Sequence, residues 1–354
     1  MVLSIQDRKI GHEHPIYFIA DIGANHDGNL ERAKDLIRLA ANAGADAAKF
    51  QNFRAPHIVS KKGFESLGSQ LSHQKSWKKP VYEAYKDASL PWEWTAELKA
   101  ACDQEGVHYL STPYDLDAVD MLEPFVPAYK IGSGDIDWLE ELEYIAKKQK
   151  PVILSTGAAT MKEVDTAVQC ILSLNKQLIV LQCNTNYTGH EENFRYVNLR
   201  VLNMYRERYP QCIIGLSDHT SGHAAVIGAV TLGARVIEKH FTDDRTRDGP
   251  DHPFAMDPPM WKEMVKQTRY MEQALGDGVK RIEDNEKETV FIQRRCLLAA
   301  RSLPAGSTLR REDIVPLRPA VPDAVPPSKL KDIIGTKIRE RIEKGDPLLW
   351  KHFA

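Results

Sequence analysis

Residues 151–183 read PVILSTGAATMKEVDTAVQCILSLNKQLIVLQC. A short apolar run ends in Ser155 and Thr156, an amphipathic segment (161–174) follows, and a second apolar run, LIVLQC, closes the stretch. Apolar runs without alternation suit parallel strands buried on both faces. Apolar residues recurring every three or four positions suit a helix laid over them. The stretch is therefore one strand–helix–strand crossover.

The same unit repeats in both directions. The runs are YFIADIG (17–23), ADAAKFQ (45–51), VHYLST (107–112), PAYKIGS (127–133), PVILST (151–156), LIVLQC (178–183), CIIGLSD (212–218) and ARVIEKH (234–240). Between them lie helix-like segments such as LERAKDLIRLAANAGA (30–45), with Gly44 near its end as a stop signal. Eight alternations over about 250 residues predict an α/β fold, a (β/α)8 TIM barrel. A doubly wound open sheet is the alternative. The one long irregular insertion, 52–90, follows the second run, where it would lie over the C-terminal mouth of the barrel.

The alternation stops after DPPMWKEMVKQTRYMEQALG (257–276). The chain divides into a barrel domain (1–276), a charged linker (277–290) and a small β-rich module (291–354) full of turns and prolines.

With 47 Lys and Arg against 49 Asp and Glu, the net charge is −2, which argues against nucleic acid or an acidic membrane as partner. The five cysteines are odd in number and form no CxxC pair, so they read as reduced thiols in a cytoplasmic protein. The start, MVLSIQDRKIGHEHP, lacks the apolar run of a signal peptide, and no apolar stretch nears the roughly 20 residues that span a bilayer.

In a barrel of this kind the chemistry sits where strands end. Those ends supply Asp21, Lys49, Gln51, Ser111, Thr112, Lys130, Ser133, Ser155, Thr156, Asn184, Thr185, Ser217, Asp218, His219, Glu238, Lys239 and His240. His219 and His240 close adjacent runs and either share a divalent ion or are hydrogen-bonded histidines at the rim. Lys49, Lys130, Ser133, Ser155 and Ser217 form a cationic, hydroxyl-rich floor suited to a phosphate or carboxylate. Glu238 and Asp251 either move protons and hold sugar hydroxyls or pair with nearby cations. Trp77, Trp92 and Trp94 read as packing rather than as a sugar platform. His26 either touches substrate or caps the helix that follows it.

The segments IADIGANHDGN, GADAAKFQ, KIGSGD, STGA, GLSDHTSG, GARVIEKHFT and GPDH, in this order, resemble the sialic acid (N-acetylneuraminate) synthases. RSLPAGSTLRREDIVPLRP and EKGDPLLW resemble the antifreeze-like (SAF) domain of that family. The resemblance spans nearly the whole chain. It implies condensation of phosphoenolpyruvate with an N-acylmannosamine-type sugar and water, giving N-acetylneuraminate or a close analogue plus phosphate. It also implies a domain-swapped homodimer and a divalent ion, Mn2+ with Mg2+ or Co2+ as alternatives, on His219 and His240. Asp21, Lys49 and Glu238 would be catalytic. Gln51, Thr112, Lys130, Ser133, Ser155, Thr185, Tyr187, Ser217 and Asp251 would bind substrates, and Arg318 would reach across the dimer to the N-acyl group.

Departures from the family pattern bear on the sugar. Asp21 stands where the family usually has Glu, Thr185 replaces a residue near the phosphate, and Thr188 replaces a proline. Legionaminic and pseudaminic acid synthases belong to the same family. Two further readings remain at this stage: a synthase acting on a phosphorylated sugar, disfavoured by the lack of a second Arg/Lys cluster, and a non-catalytic sugar-binding barrel.

Overall fold

A short hairpin, β1 (Val2–Ile5) and β2 (Arg8–Gly11), precedes the eight apolar runs. The runs become β3 (Tyr17–Asp21), β4 (Ala47–Asn52), β5 (His108–Pro113), β6 (Tyr129–Ile131), β7 (Val152–Ser155), β8 (Leu178–Cys183), β9 (Ile213–Asp218) and β10 (Val236–His240). All eight are parallel, and β10 pairs with β3, so the sheet closes into the expected barrel. The structure, a computed structural model, describes residues 1–353.

Helices α1 (Leu30–Asn42), α5 (Thr95–Gln104), α6 (Leu116–Leu122), α7 (Leu139–Lys147), α8 (Met161–Leu174), α9 (Val201–Arg208), α10 (Ala224–Thr231) and α11 (Pro258–Leu275) follow the strands, and α2 (Ala55–Ile58), α3 (Lys61–Ser66) and α4 (Val81–Ala88) lie within the segment after β4. The crossover helix α8 spans the expected residues because Thr160 and Glu163 form a reciprocal capping box at its start. The segment 52–90, expected to be irregular, instead carries three short helices and a 3-10 turn.

Strand parity divides the barrel into two packing layers. Tyr17 and Ile19, Ala47, Leu110, Ala128, Ile153, Ile179 and Leu181, Ile213 and Val236 make one buried cluster inside the barrel. The residues between them, such as Phe18, Ala20, Phe50, Tyr109 and Val180, join the larger cluster under the helices. Side chains alternate along a strand, so every second residue points inward. At Gly215 a Cβ would lie 2.3 Å from the Val236 carbonyl oxygen, so only glycine lets β9 pass β10 there.

Leu3, Ile5 and Ile10 of the hairpin join the inner cluster and seal the N-terminal end. Its four-residue strands, VLSI and RKIG, are half exposed, the second carries two charges, and the sequence reading passed over them. Beside it, Tyr17 Oη and His108 Nδ1 are 2.7 Å apart, and His108 Nε2 lies 3.0 Å from Asp7.

The second compact unit comprises residues 277–354. Within the stretch expected to be a linker it carries a 3-10 turn, and the helix α12 (Lys287–Gln293) begins there. The strands β11 (Cys296–Ala299) and β12 (Ile314–Leu317) pair antiparallel, and a short α13 (Leu330–Ile333) follows. Leu297, Leu303, Ile314, Ile338 and Leu348 are among the buried residues of its own core.

Candidate active site at the C-terminal mouth of the barrel

Continuing the inward parity past the apolar layers yields the site. Asp21 follows Ile19, Lys49 and Gln51 follow Ala47, and Thr112, Lys130, Ser155, Cys183, Ser217 and Glu238 continue their strands in step, with His219 and His240 one inward step further on. All of these line one open cleft. Their neighbours of opposite parity turn away. Ser111 donates to Asn52 at 2.6 Å, Thr156 donates to the Leu181 carbonyl, and Lys239 pairs with Asp218 at 2.6 Å, all buried. Polar strand ends are thus of two kinds, and parity separates them.

Two buried ammonium groups occupy the floor. Lys49 Nζ is 2.8 Å from Asp21 Oδ2. Burial alone would depress that ammonium, but Asp21 and Glu238 outweigh it and hold the pKa above the ordinary lysine value. Lys130 Nζ donates to the Ile131 carbonyl at 2.9 Å and lies 3.5 Å from Glu238 Oε1. Here burial wins, Glu238 offsets it only in part, Lys49 adds repulsion, and the pKa falls. Ser217 Oγ donates to Glu238 Oε1 at 3.0 Å, and Ser133 Oγ accepts from Gly157 N at 3.0 Å. Ser155 Oγ and Glu238 Oε2 are buried without a partner in the protein, which leaves a donor and an acceptor aimed at a ligand.

The two imidazoles stand above this floor with ring centres 5.4 Å apart. His219 Nδ1 lies 3.0 Å from the Asn184 carbonyl, which can only accept, so the proton sits on Nδ1 and Nε2 keeps its lone pair. Burial, with His240 nearby, holds the His219 pKa well below the ordinary histidine value. His240 lies 3.4 Å from Asp21 on one side and 3.6 Å from Asp251 on the other. Asp251 also accepts from Ala24 N at 3.0 Å. Among the described residues no three His, Cys, Asp or Glu side chains form a ready-made metal cage, so the pair is at most part of a coordination shell.

Thirteen of the fifteen residues expected at the site line this cleft. Thr185 does not line it, and its methyl packs against Gly157. Arg318 is exposed in the second unit, just after β12. Trp77 lines the cleft as well as packing against Tyr85, which corrects the reading of that ring as packing alone. Trp92 carries the Arg54 guanidinium on its face, and Trp94 meets His26 edge-on. His26 is buried and its Nδ1 accepts from Gly28 N, whereas Asn29 caps α1, so His26 closes the turn.

The sequence reading missed Phe53, Ile58, His73, Ala84, Tyr85, Ala88, Tyr114 and Cys183, which also line the cleft. Parity would have found Cys183. The others, Tyr114 apart, come from the segment after β4, whose path over the mouth carries no strand period. Ring contacts run unbroken from Tyr114 through Phe53, Tyr85, Trp77 and His73 to Tyr187, which meets His219 edge-on at 4.4 Å.

The sequence model of the NeuB family matches residues 36–280, and that of the SAF domain matches residues 294–354. The chain is 34% identical to the N,N'-diacetyllegionaminic acid synthase of Legionella pneumophila, over 97% of this chain and 96% of that protein. It is 32% identical to the human N-acetylneuraminate-9-phosphate synthase, over 97% and 94%. Among solved structures, the N-acetylneuraminic acid (sialic acid) synthetase of Leptospira borgpetersenii, in complex with citrate, superposes with a TM-score of 0.71 at 30% identity, covering 82% of this chain and 95% of that one.

Proposed function

The chain belongs to the NeuB family, and on that premise we propose that it condenses phosphoenolpyruvate with an N-acylated amino sugar and water, releasing phosphate and a nonulosonic acid. The observation that carries the reading is one cleft holding both a lysine and serine floor and a rim of two imidazoles flanked by carboxylates. The floor suits phosphoenolpyruvate. Lys49 and Lys130 supply charge, while Ser133 and Ser155 supply directional donors to phosphate or carboxylate oxygens and Ser217 gives its proton to Glu238. The rim suits the reacting end of an open-chain sugar, with Gln51, Tyr187 and Asp251 placed around it.

The residues fit a divalent cation. His219 presents a neutral imidazole with a free Nε2, and His240 Nδ1 and Asp21 Oδ1 are buried without a hydrogen bond, the former 3.6 Å from Asp251 Oδ2. Formally, two ammonium groups face the three carboxylates of Asp21, Glu238 and Asp251, so a trianionic ligand needs more positive charge than the protein provides. An ion held by His219 and His240, Mn2+ with Mg2+ or Co2+ as alternatives, would supply Lewis-acid polarisation of the sugar carbonyl.

With the phosphate held by the floor, C3 of phosphoenolpyruvate bonds to the sugar's carbonyl carbon, whose oxygen becomes a hydroxyl. Water adds at C2, and the C–O bond to phosphate then breaks. Glu238, already accepting from Ser217, would take the water's proton, which balances the proton gained by the new hydroxyl. Lys49 holds Asp21 and the floor ligand in register across β3 and β4.

Arg318, exposed on the second unit, would complete the sugar site toward the N-acyl group in a domain-swapped homodimer. Five free cysteines, four of them buried, suit a reducing cytoplasm, and among the described residues no helix is long and apolar enough to cross a membrane. The test is phosphate release from phosphoenolpyruvate, with and without Mn2+, against N-acetylmannosamine, 2,4-diacetamido-2,4,6-trideoxymannose and its altrose isomer. Metal-dependent release with one of them is expected. No release with any, from folded protein carrying metal, overturns the reading.

A further inference from the structure

The segment between β4 and α5 forms one wall of the cleft, and its chemistry differs from that of the floor. Phe53, Ile58, Ala84, Ala88 and the rings of Trp77 and Tyr85 face the cavity. On α4 the residues Val81, Ala84, Tyr85 and Ala88 follow three- and four-residue spacing, so they share one helix face. Val81 is buried, and Ala84 and Ala88, one turn apart, line the cleft with Tyr85 and offer only methyl groups to it.

The same segment is rich in lysine and arginine, and none of these lines the cleft; its basic side chain there is His73, whose pKa burial lowers, so that it favours the neutral form. Arg54 is tied to Asp115 and Asp117 and lies on the Trp92 ring. Lys78 pairs with Asp248 at 2.6 Å, Lys79 with Asp87, and Lys61 lies 3.9 Å from Glu83. Lys62, Lys75 and Lys86 are exposed. Among the described residues of the cleft, the lysines are Lys49 and Lys130, both on the floor and both beside carboxylates. A charged or strongly hydrated group against this wall would lose water and gain no cation in return.

We propose that the wall selects an acceptor whose end remote from the reacting carbonyl is uncharged and ends in a methyl group. That is a 6-deoxy, N-acylated amino sugar, preferred over one ending in a hydroxymethyl or a phosphate. The proposal rests on the condensation reading above and names the substrate class for it. The aldehyde end lies at the imidazole rim, the ring arc from Tyr187 to Phe53 lines the path outward, and the methyl settles against Ile58, Ala84 and Ala88.

The test compares three acceptors that differ only at C6: N-acetylmannosamine, its 6-deoxy analogue and its 6-phosphate. Phosphate release from phosphoenolpyruvate is followed with full-length protein and Mn2+. The expected result is a kcat/KM for the 6-deoxy sugar roughly 10–100-fold above that for the 6-hydroxy sugar, the range one hydroxyl produces in an apolar pocket, with no detectable turnover of the 6-phosphate. Equal or better turnover of the 6-hydroxy or 6-phosphorylated sugar overturns the proposal and leaves the condensation reading intact. Turnover of none of the three, nor of 2,4-diacetamido-2,4,6-trideoxymannose or its altrose isomer, by folded, metal-loaded protein overturns both, whereas turnover of those two 6-deoxy sugars alone upholds the proposal. A second arm uses Ala88→Lys, which places a cation on the wall. It should bring turnover of the 6-phosphate into the measurable range while lowering kcat/KM for the 6-deoxy sugar, and a folded variant that still leaves the 6-phosphate untouched and the 6-deoxy preference unchanged removes the wall from specificity.

Discussion

The two ends of the barrel are built from the same eight strands with the same inward parity, yet they hold opposite chemistry. At the N-terminal end the inward residues are Tyr17, Ile19, Ala47, Ile153, Ile179 and their neighbours, packed against Leu3, Ile5 and Ile10 of the hairpin. Two or four residues further along each strand, the inward positions become Asp21, Lys49, Lys130, Ser155, Ser217 and Glu238. One end excludes water to hold the barrel together, and the other keeps charged groups buried for a ligand to neutralise. A short step along a strand changes a residue's role from packing to chemistry, while a single-residue step moves it out of the cavity altogether.

That contrast can be broken from either end. The largest effect is expected at the mouth: His240→Ala should lower kcat/KM by about 1000-fold or more, in line with removing Lewis-acid polarisation, while circular dichroism stays that of the wild type. Near-wild-type turnover of the variant in chelated buffer would sink the metal assignment. At the sealed end, Ile10, fully buried, is expected to cost about 3 kcal/mol when cut to Ala, read by denaturant unfolding. Its activity per folded molecule should not change, and a drop in kcat would show that the two ends communicate.

His26, behind the mouth, sharpens the comparison through pH. Burial lowers its pKa from 6.5 to about 4 in the folded protein. The unfolded chain therefore binds the proton first as pH falls, so stability is full above pH 6.5 and is lost progressively toward pH 4. Between pH 6.5 and 5 the loss from this group is about 2 kcal/mol, and His26→Gln should flatten the wild-type unfolding profile by that amount over the window. A profile of unchanged slope rules His26 out as its source. The smallest effect is expected at Tyr17→Phe, which removes the hydroxyl paired with His108 at the sealed end. About 1 kcal/mol of stability should go, with kcat and KM unmoved.

Most of the barrel and the polar part of the site were legible because both follow from periodicity. Eight nearly continuous apolar runs could be counted, and Lys49, Lys130, Ser155, Ser217, His219, Glu238 and His240 stand at their ends. Reading every polar strand end as a site residue went too far, since Asp218, Lys239, Ser111 and Thr156 face the helix layer. The hairpin escaped because its strands, VLSI and RKIG, are only four residues long, too short for a period to register. The wall built by Ile58, Ala84, Tyr85 and Ala88 escaped for another reason. Its residues belong to short helices whose direction is set by contacts far along the chain, such as Phe53 against Tyr85 and Tyr114, and no local spacing encodes those contacts.

The hairpin seal has a bearing on traffic. A vessel closed at its base has a single doorway, and here the anion floor lies at the bottom with the imidazole rim and the aromatic wall stacked above it. A ligand bound to Lys49 and Lys130 would pass the imidazole rim on its way in. On the proposed condensation that layering predicts a queue: the floor ligand would enter first, the sugar would follow over it, and phosphate would leave after the longer product.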